Sequence, residues 1–101
     1  MKLIELIQAV KEEKLSKEQL EAYRDQLSNL YADMQIEMAT LEKEEASFMC
    51  DPDVSDRSVA ERKVLWKGRQ SGQRLITLKR YAIATKEMIN SLKSRIYDKI
   101  Y

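Results

Sequence analysis

The sequence contains no histidine, and among its 101 residues it has only two glycines, one proline, one cysteine and one tryptophan. Histidine is the commonest general base and the commonest metal ligand, so its absence argues against an enzyme, a metal site and a bound cofactor. A single cysteine, Cys50, excludes an intramolecular disulfide, and with it the framework of small secreted domains. Because glycine and proline are scarce, turns must be few and the regular structure must come in long pieces.

Long apolar runs are missing as well. The first ten residues are too short for a secretory signal, and Glu5 interrupts their apolar stretch. No segment approaches the roughly 20 consecutive apolar residues of a membrane span. We therefore expect a protein that works inside the cell, in the cytoplasm, without membrane contact.

What the sequence does contain is charge, and the charge is unevenly distributed. Charged residues make up 35% of the chain, although its net charge is only +1. Residues 1–56 carry 6 Lys/Arg and 14 Asp/Glu, a net charge of −8, whereas residues 57–101 carry 12 and 3, a net charge of +9. Such a split indicates either that the two halves pair with each other or that the basic half binds a polyanion.

The N-terminal segment predicts a short amphipathic helix over about residues 2–13, because four apolar residues fall there at helical spacing. They are Leu3, Leu6, Ile7 and Val10. A second helix should begin after Ser16, since Ser16 and Gln19 form a capping box in which each side chain bonds the other residue's backbone N–H. Leu15 and Leu20 stand where a hydrophobic staple would close over this cap.

Two apolar seams with alternating steps of three and four residues predict two long helices that pack as a coiled coil. These helices should cover residues 17–49 and 59–100, joined by a loop at 50–58 that contains Pro52 and a second capping box at Ser58. The first seam is Leu20, Tyr23, Leu27, Leu30, Met34, Met38, Leu41 and Phe48. The second seam is Val64, Gly68, Ser71, Leu75, Leu78, Ala82, Thr85, Ile89, Leu92 and Ile96. We expect an all-α protein: a single domain formed by a long antiparallel helical hairpin with the short N-terminal helix.

The predicted last helix would be about 60 Å long at a rise of about 1.5 Å per residue, longer than its partner helix. Its final turns, with Ile96 and Ile100, should therefore pack on the N-terminal helix. Folding back at the loop also brings Leu41 near Gly68 and sets apolar residues opposite one another further down. This agreement between the two seams independently supports the hairpin.

Three short patterns resemble chemical sites, and none of them fits. Aspartates follow Cys50 and would disfavour its thiolate, which argues against a nucleophile. The segment 51–62 begins like a calcium loop, but its sixth and twelfth residues are aspartate and arginine where glycine and glutamate are required. Gly68 and Gly72 have the spacing of close helix contact rather than that of a phosphate-binding loop. We expect no catalytic residue, no metal site and no cofactor.

The most informative stretch is 62–86, which contains eight Lys or Arg residues and no acid. On a helical wheel, the face opposite the seam combines cations with aromatic and amide groups, which suit the phosphates and bases of a nucleic-acid strand. The predicted nucleic-acid-binding residues are Arg62, Lys63, Trp66, Lys67, Arg69, Gln73, Arg74, Arg80 and Tyr81. The competing interpretation is structural: the cations pair with the acidic half, and Trp66 packs against another helix.

The segments AERKVL (60–65) and NSLKSRI (90–96), together with the Leu/Ile stripe, resemble small helical phage recombination proteins. Within 58–101 the nearest pattern is that of UvsY-type recombination mediators, while 15–49 is similar to small phage helical-hairpin proteins. The resemblance implies an oligomer in an infected cell that binds single-stranded DNA and helps to load a recombinase. The basic residues that correspond to the family's are Lys63, Lys67, Arg69 and Arg74.

Three functions therefore remain open. The first is a non-enzymatic accessory protein that binds single-stranded nucleic acid through the basic face. The second is an adaptor or inhibitor, such as a phage anti-defence protein, that binds a protein complex through the same face or the acidic surface at 37–45. The third is a structural coiled-coil subunit. A homo-oligomer is expected in each case, because two apolar sets stay outside the hairpin: Leu3, Leu6, Ile7 and Val10, and Leu65, Ile76 and Ile83.

Overall fold

A computed structural model describes residues 3–11 and 15–100, with side chains up to residue 98. Four helices account for 86% of these residues, and no strand occurs among them. The helices are α1 (Leu3–Val10), α2 (Lys17–Met49), α3 (Val59–Gly68) and α4 (Gln70–Ile100). The long helices α2 and α4 contact each other, as a hairpin requires. The all-α fold is therefore confirmed, although the predicted ends of the first helix at 2, 12 and 13 lie outside the described residues.

Local capping signals set the helix boundaries. The backbone N–H of Gln19 donates to Ser16 Oγ at 3.2 Å, and that of Ser16 donates to Gln19 Oε1 at 2.9 Å. Leu15 and Leu20 are both buried, as the staple predicted. At the second start, the Glu61 N–H donates to the side chain of Ser58, which is the N-cap of α3. Helices thus begin directly after Ser16 and Ser58, and residues 50–58 lie between α2 and α3.

The predicted helix 59–100 is wrong at one residue, because the chain breaks at Arg69. This residue has an extended backbone (φ −80°, ψ 156°), and it ends α3 by donating its N–H to the Trp66 carbonyl at 3.0 Å. The Gln73 side chain donates to the Lys67 carbonyl, which satisfies another carbonyl at the end of α3. A Cβ on Gly72 would lie only 1.9 Å from the Trp66 oxygen, so this close approach requires glycine.

The described chain divides into two compact units, to both of which α2 and α4 contribute. The first unit comprises residues up to Asp33 and from Ala82 onward. Its buried cluster consists of Leu6, Val10, Leu15, Leu20, Leu27, Ile89, Leu92 and Ile96. Arg95 donates a hydrogen bond to the Val10 carbonyl at the C-terminal end of α1. The predicted packing of Ile96 with α1 is confirmed, whereas the side chain of Ile100 lies outside the described residues.

The second unit comprises Met34–Tyr81. Its buried apolar residues are Met34, Met38, Leu41, Trp66, Leu75 and Leu78. Arg62 Nη1 donates to the Met49 carbonyl at 2.6 Å, at the C-terminal end of α2. The C-terminal end of a helix is the negative end of its dipole and favours a cation. The last turn of α2 contains no basic residue, so Arg62 of α3 supplies that cation.

The break at Arg69 also decides which part of the second seam is buried. From Leu75 to Ile96 every predicted seam residue is buried, which confirms the pattern there. Before the break the prediction is wrong, because Val64 is 70% exposed and Gly68 is exposed. The wheel assumed one continuous helix, whereas the break turns α3 so that Trp66 enters the core instead.

Candidate functional site

Trp66, the predicted base-stacking residue, is not on the surface. Its side chain is 6% exposed, and its ring centroid lies 5.7 Å from that of Phe48, with 42° between the planes. This tilted arrangement is typical of stabilising aromatic pairs. The expectation that Trp66 faces away from the core is therefore wrong, and its indole cannot stack on a base without leaving Phe48.

Three of the predicted binding arginines make contacts within the chain. Arg62 bonds the end of α2, and the guanidinium of Arg69 lies 4.8 Å from the centroid of the Phe48 ring, in cation–π geometry. Arg74 forms a bidentate pair with Glu37, with both N–O distances at 3.0 Å. The structural interpretation of the cations is thus correct for Arg74, which pairs with the acidic half of the chain.

The Arg74–Glu37 pair perturbs both groups. Its hydrogen bond, aided by the charge of Arg74, holds the pKa of the Glu37 carboxyl below its ordinary value of 4.5. The same hydrogen bond raises the pKa of Arg74. Both side chains are about half exposed, so solvent screens the pair and its contribution to stability is small.

Three lysines, two of them predicted binding residues, line one groove between α3 and α4. The groove has a volume of about 270 Å³, and it is lined by Glu45, Lys63, Trp66, Lys67, Gly72, Leu75, Ile76 and Lys79. We call it the lysine groove. Lys63 and Lys67 lie one turn apart on α3, and Lys79 comes from α4. All three lysines are exposed, and within the described part of the chain none of them lies within 4 Å of a carboxylate.

The lysine groove places positive charge over an apolar floor. Trp66, Leu75 and Ile76 provide that floor, while Glu45 is the one carboxylate among its described lining residues. Each Lys ammonium is a mobile point charge with three donors, suited to phosphate oxygens in varied positions. The chemistry of the groove therefore suits a flexible anionic chain, and its described lining residues include no rigid fork that would read a base edge.

The neighbouring residues that were predicted to bind nucleic acid differ in their environments. Gln73 caps α3 instead of facing a ligand, whereas Arg80 is exposed and has no carboxylate within 4 Å in the described chain. Tyr81 is 46% exposed. Lys79 was missed as a named site residue, although it lies in the acid-free stretch that marked the region.

Trp66 also lines a second groove, of about 460 Å³. Its charged lining residues are Lys43, Glu44, Asp51 and Arg69, two of each sign. Opposite charges side by side neutralise one another, so this groove shows no preference for an anion or a cation.

The predicted oligomer contacts need correction on α1. Leu6 is 0% and Val10 is 2% exposed inside the single chain, so the expectation that they remain available is wrong for both. Leu3 and Ile7 are half-buried, and Leu3 packs against the same cluster. The second predicted set of oligomer contacts differs in exposure from residue to residue. Leu65 is 39% exposed, Ile83 is 62% exposed, and Ile76 is half-buried in the lysine groove.

Within residues 3–11 and 15–100, no group of three or more His, Cys, Asp or Glu side chains could hold a metal ion. None of the helices in the described ranges is both long and apolar enough to cross a membrane. No family model, curated protein or solved structure matches the chain. The grooves and their charges are therefore the features of the chain that bear on its function.

Proposed function

We propose that this protein is a non-enzymatic accessory protein that binds single-stranded nucleic acid through the lysine groove. One observation carries the proposal: three lysines from two helices line a single groove without ion-pair partners in the described chain. Exposed Arg80, one residue beyond Lys79, adds a further cation on α4. Neighbouring ammonium groups repel one another, and a phosphate chain would relieve that repulsion.

A single strand suits this groove better than a DNA duplex that is recognised by its base sequence. The groove lysines suit phosphate contacts, and none of the described helices offers a set of side chains for base edges in a defined groove of DNA. Binding should therefore show little sequence preference and strong dependence on salt. A recombination-mediator role, as the resemblance implies, is the specific form of this proposal.

Titration with an oligothymidylate at several salt concentrations tests the proposal. If each groove lysine neutralises one phosphate, log affinity should fall against log salt with a slope of about −2, at about −0.7 per phosphate. Lys63→Gln, Lys67→Gln and Lys79→Gln should each make the slope shallower by about 0.7. Lys93→Gln is the matched control, because Lys93 is an exposed lysine on α4 outside the groove.

Two outcomes would contradict the proposal. The first is no retention of oligothymidylate even at low salt. The second is an equal loss of affinity in Lys93→Gln and in the groove variants, since this would indicate general attraction to the basic half rather than binding in the groove.

We also propose that α2 and α4 run antiparallel as a coiled-coil-like hairpin, and that the protein forms a homo-oligomer. The Arg74–Glu37 pair and the Arg62–Met49 bond support the hairpin, since folding back at the 50–58 loop would join these residues. The exposure of Leu65 and Ile83 supports self-association. Light scattering that gave the 11.9 kDa monomer at micromolar concentration would contradict the oligomer.

A second candidate function, binding of a protein partner, is favoured by the outer face of α3. Val64 and Leu65 are 70% and 39% exposed there. A groove of about 380 Å³ at this face is lined by Arg57, Ala60, Glu61, Val64 and Leu65. Apolar residues exposed together are typical of protein contacts. Val64→Asp should then abolish partner capture while leaving oligonucleotide binding unchanged, the opposite of the result expected for Lys67→Gln.

A further inference from the structure

The 460 Å³ groove, which we call the Arg69 groove, differs from the lysine groove in its charge. Its described lining residues include two cations, Lys43 and Arg69, and two carboxylates, Glu44 and Asp51. The lysine groove instead has three cations and the single carboxylate of Glu45. An ion in the Arg69 groove would be attracted by one pair of charges and repelled by the other. The groove therefore suits an uncharged ligand with polar groups.

The guanidinium of Arg69 is the group in this groove that is best placed to hold a ligand. It lies 4.8 Å from the centroid of the Phe48 ring. Within the described chain it forms no ion pair, and it donates no side-chain hydrogen bond. A guanidinium is planar and weakly hydrated, and it stacks on π-systems. Because Arg69 is exposed and lines the groove, a planar ring can lie against the part of its guanidinium that Phe48 does not cover.

The Phe48 ring beneath this guanidinium is held in place by the core. Phe48 is half-buried, and its ring packs on buried Trp66 with 5.7 Å between the centroids. A ligand that stacks on Arg69 displaces neither ring, so Trp66 stays buried. The platform is therefore present before any ligand arrives, and ordering it adds no cost to binding.

Hydroxyl groups complete the polar lining of the Arg69 groove. The Thr40 hydroxyl donates to the Ile36 carbonyl at 3.2 Å. The hydroxyls of Ser47 and Ser71 make no hydrogen bond to any other described residue. A hydroxyl both donates and accepts, so these two groups can meet the amino, imino or carbonyl groups of a heterocyclic ring.

The Arg69 groove adjoins the lysine groove along three helices. Trp66 of α3 lines both grooves. On α2, the consecutive residues Glu44 and Glu45 line one groove each, and on α4 the consecutive residues Ser71 and Gly72 do the same. In a nucleotide a single sugar joins the phosphate to the base. A strand whose phosphates bind in one groove therefore has bases close to the other.

We propose that the Arg69 groove binds a base of the single strand whose phosphates bind in the lysine groove, with the base stacked on the Arg69 guanidinium. This inference rests on the proposed function and adds the contact that distinguishes nucleic acid from other polyanions. Every base has a π-face, so stacking tolerates all of them. The mixture of donors and acceptors also favours no single base edge, and sequence preference therefore stays small.

The test compares oligothymidylate with an abasic oligomer that has the same length and the same sugar-phosphate backbone. The two probes present equal phosphates, and only the first presents bases. The wild type should bind oligothymidylate about tenfold more tightly, which is within the effect of stacking one base. Both probes should give the same dependence of affinity on salt, because the same lysines contact their phosphates.

Two substitutions should remove this preference without weakening the binding of the abasic oligomer. Arg69→Lys keeps the charge but lacks the planar group, and Arg24→Lys is its matched control because Arg24 lines neither groove. Ser47→Leu fills the Arg69 groove from α2 and leaves Arg69 unchanged. Ala46→Leu adds the same side chain at the preceding exposed position, outside the groove, and is the second control. Both controls should keep the tenfold preference.

Equal affinity of the wild type for the two oligomers would overturn the inference and leave the proposed function intact, because phosphate contacts alone would then account for binding. Persistence of the preference in both Arg69→Lys and Ser47→Leu would also overturn it, since the base would then bind elsewhere. If Arg69→Lys does not fold, as judged by circular dichroism, Ser47→Leu decides alone. Absence of binding to either oligomer at low salt would contradict the proposed function and this inference together.

Discussion

Val64 in α3 and the pair Leu92 and Ile96 in α4 belong to the same predicted seam, and they differ in burial. Leu92 and Ile96 are 0% and 6% exposed, whereas Val64 is 70% exposed. The difference arises because α3 also contains Trp66. Burying an indole removes about 150–250 Å² from water, worth about 4–6 kcal/mol at about 25 cal/mol/Å², against about 1.5–3 kcal/mol for a valine. A periodic pattern therefore identifies residues that can share a face, and the area available on competing faces decides which one is buried.

The largest expected effect comes from placing the same charge on both parts of the predicted seam. Leu78→Asp should unfold the protein, since it buries an unpaired carboxylate at a site that is 2% exposed. Val64→Asp should change the free energy of unfolding by about 0.5 kcal/mol or less, because the side chain stays in water. Circular dichroism during urea titration measures both. Equal destabilisation would show that Val64 is buried in solution.

Removing the competing aromatic is expected to have the next largest effect. Trp66→Ala should lower the free energy of unfolding by about 3–5 kcal/mol, as is usual for buried aromatics. Val64→Ala, the control on the same helix, should cost far less because the valine is exposed. The same titration compares the two variants. A cost for Val64→Ala near that of Trp66→Ala would contradict the burial assigned here to α3.

Arg62 and Arg95 donate hydrogen bonds to the C-terminal ends of α2 and α1, and they allow a comparison of the two compact units. Arg62→Gln should cost about 1–2 kcal/mol, because it removes a charge-assisted hydrogen bond from the end of α2. The expected cost is modest, since Arg62 Nε is buried with no partner in the described structure. Arg95→Gln should have a similar effect at the end of α1. Thermal unfolding measures both, and Arg80→Gln, at an exposed position, should leave the midpoint within error.

The smallest expected effect is the acid dependence contributed by Glu37. Its pKa is lowered in the folded protein, so its pair with Arg74 stabilises the fold above the ordinary value of 4.5. This stabilisation is lost as the pH falls from 4.5 through the lower folded pKa. Glu37→Gln should therefore flatten the dependence of stability on pH in that range, measured by urea titration at successive pH values. Glu42→Gln, which removes an exposed carboxylate without an ion pair in the described chain, should not flatten it.

The candidate site was only partly predictable from the sequence. Lys63 and Lys67 were identified because the absence of acids over 62–86 is visible in the chain itself. Their convergence with Lys79 was not predicted, since it depends on the angle between α3 and α4. The role of Gln73 was also missed, because the carbonyl it caps becomes unsatisfied only once the helix breaks at Arg69.

By itself, the sequence determined the features that depend on residues close together in the chain. The starts at Ser16 and Ser58 follow from hydrogen bonds over three residues, and the buried stripe from Leu75 to Ile96 follows from helical periodicity. Only the tertiary structure decided that Arg69 would leave the helix. Trp66 and Phe48 lie 18 residues apart in the sequence. The free energy gained by packing them together exceeds the small free-energy cost of one non-helical residue. Local sequence patterns cannot predict this contact, because the two rings pack together only when α3 packs against α2.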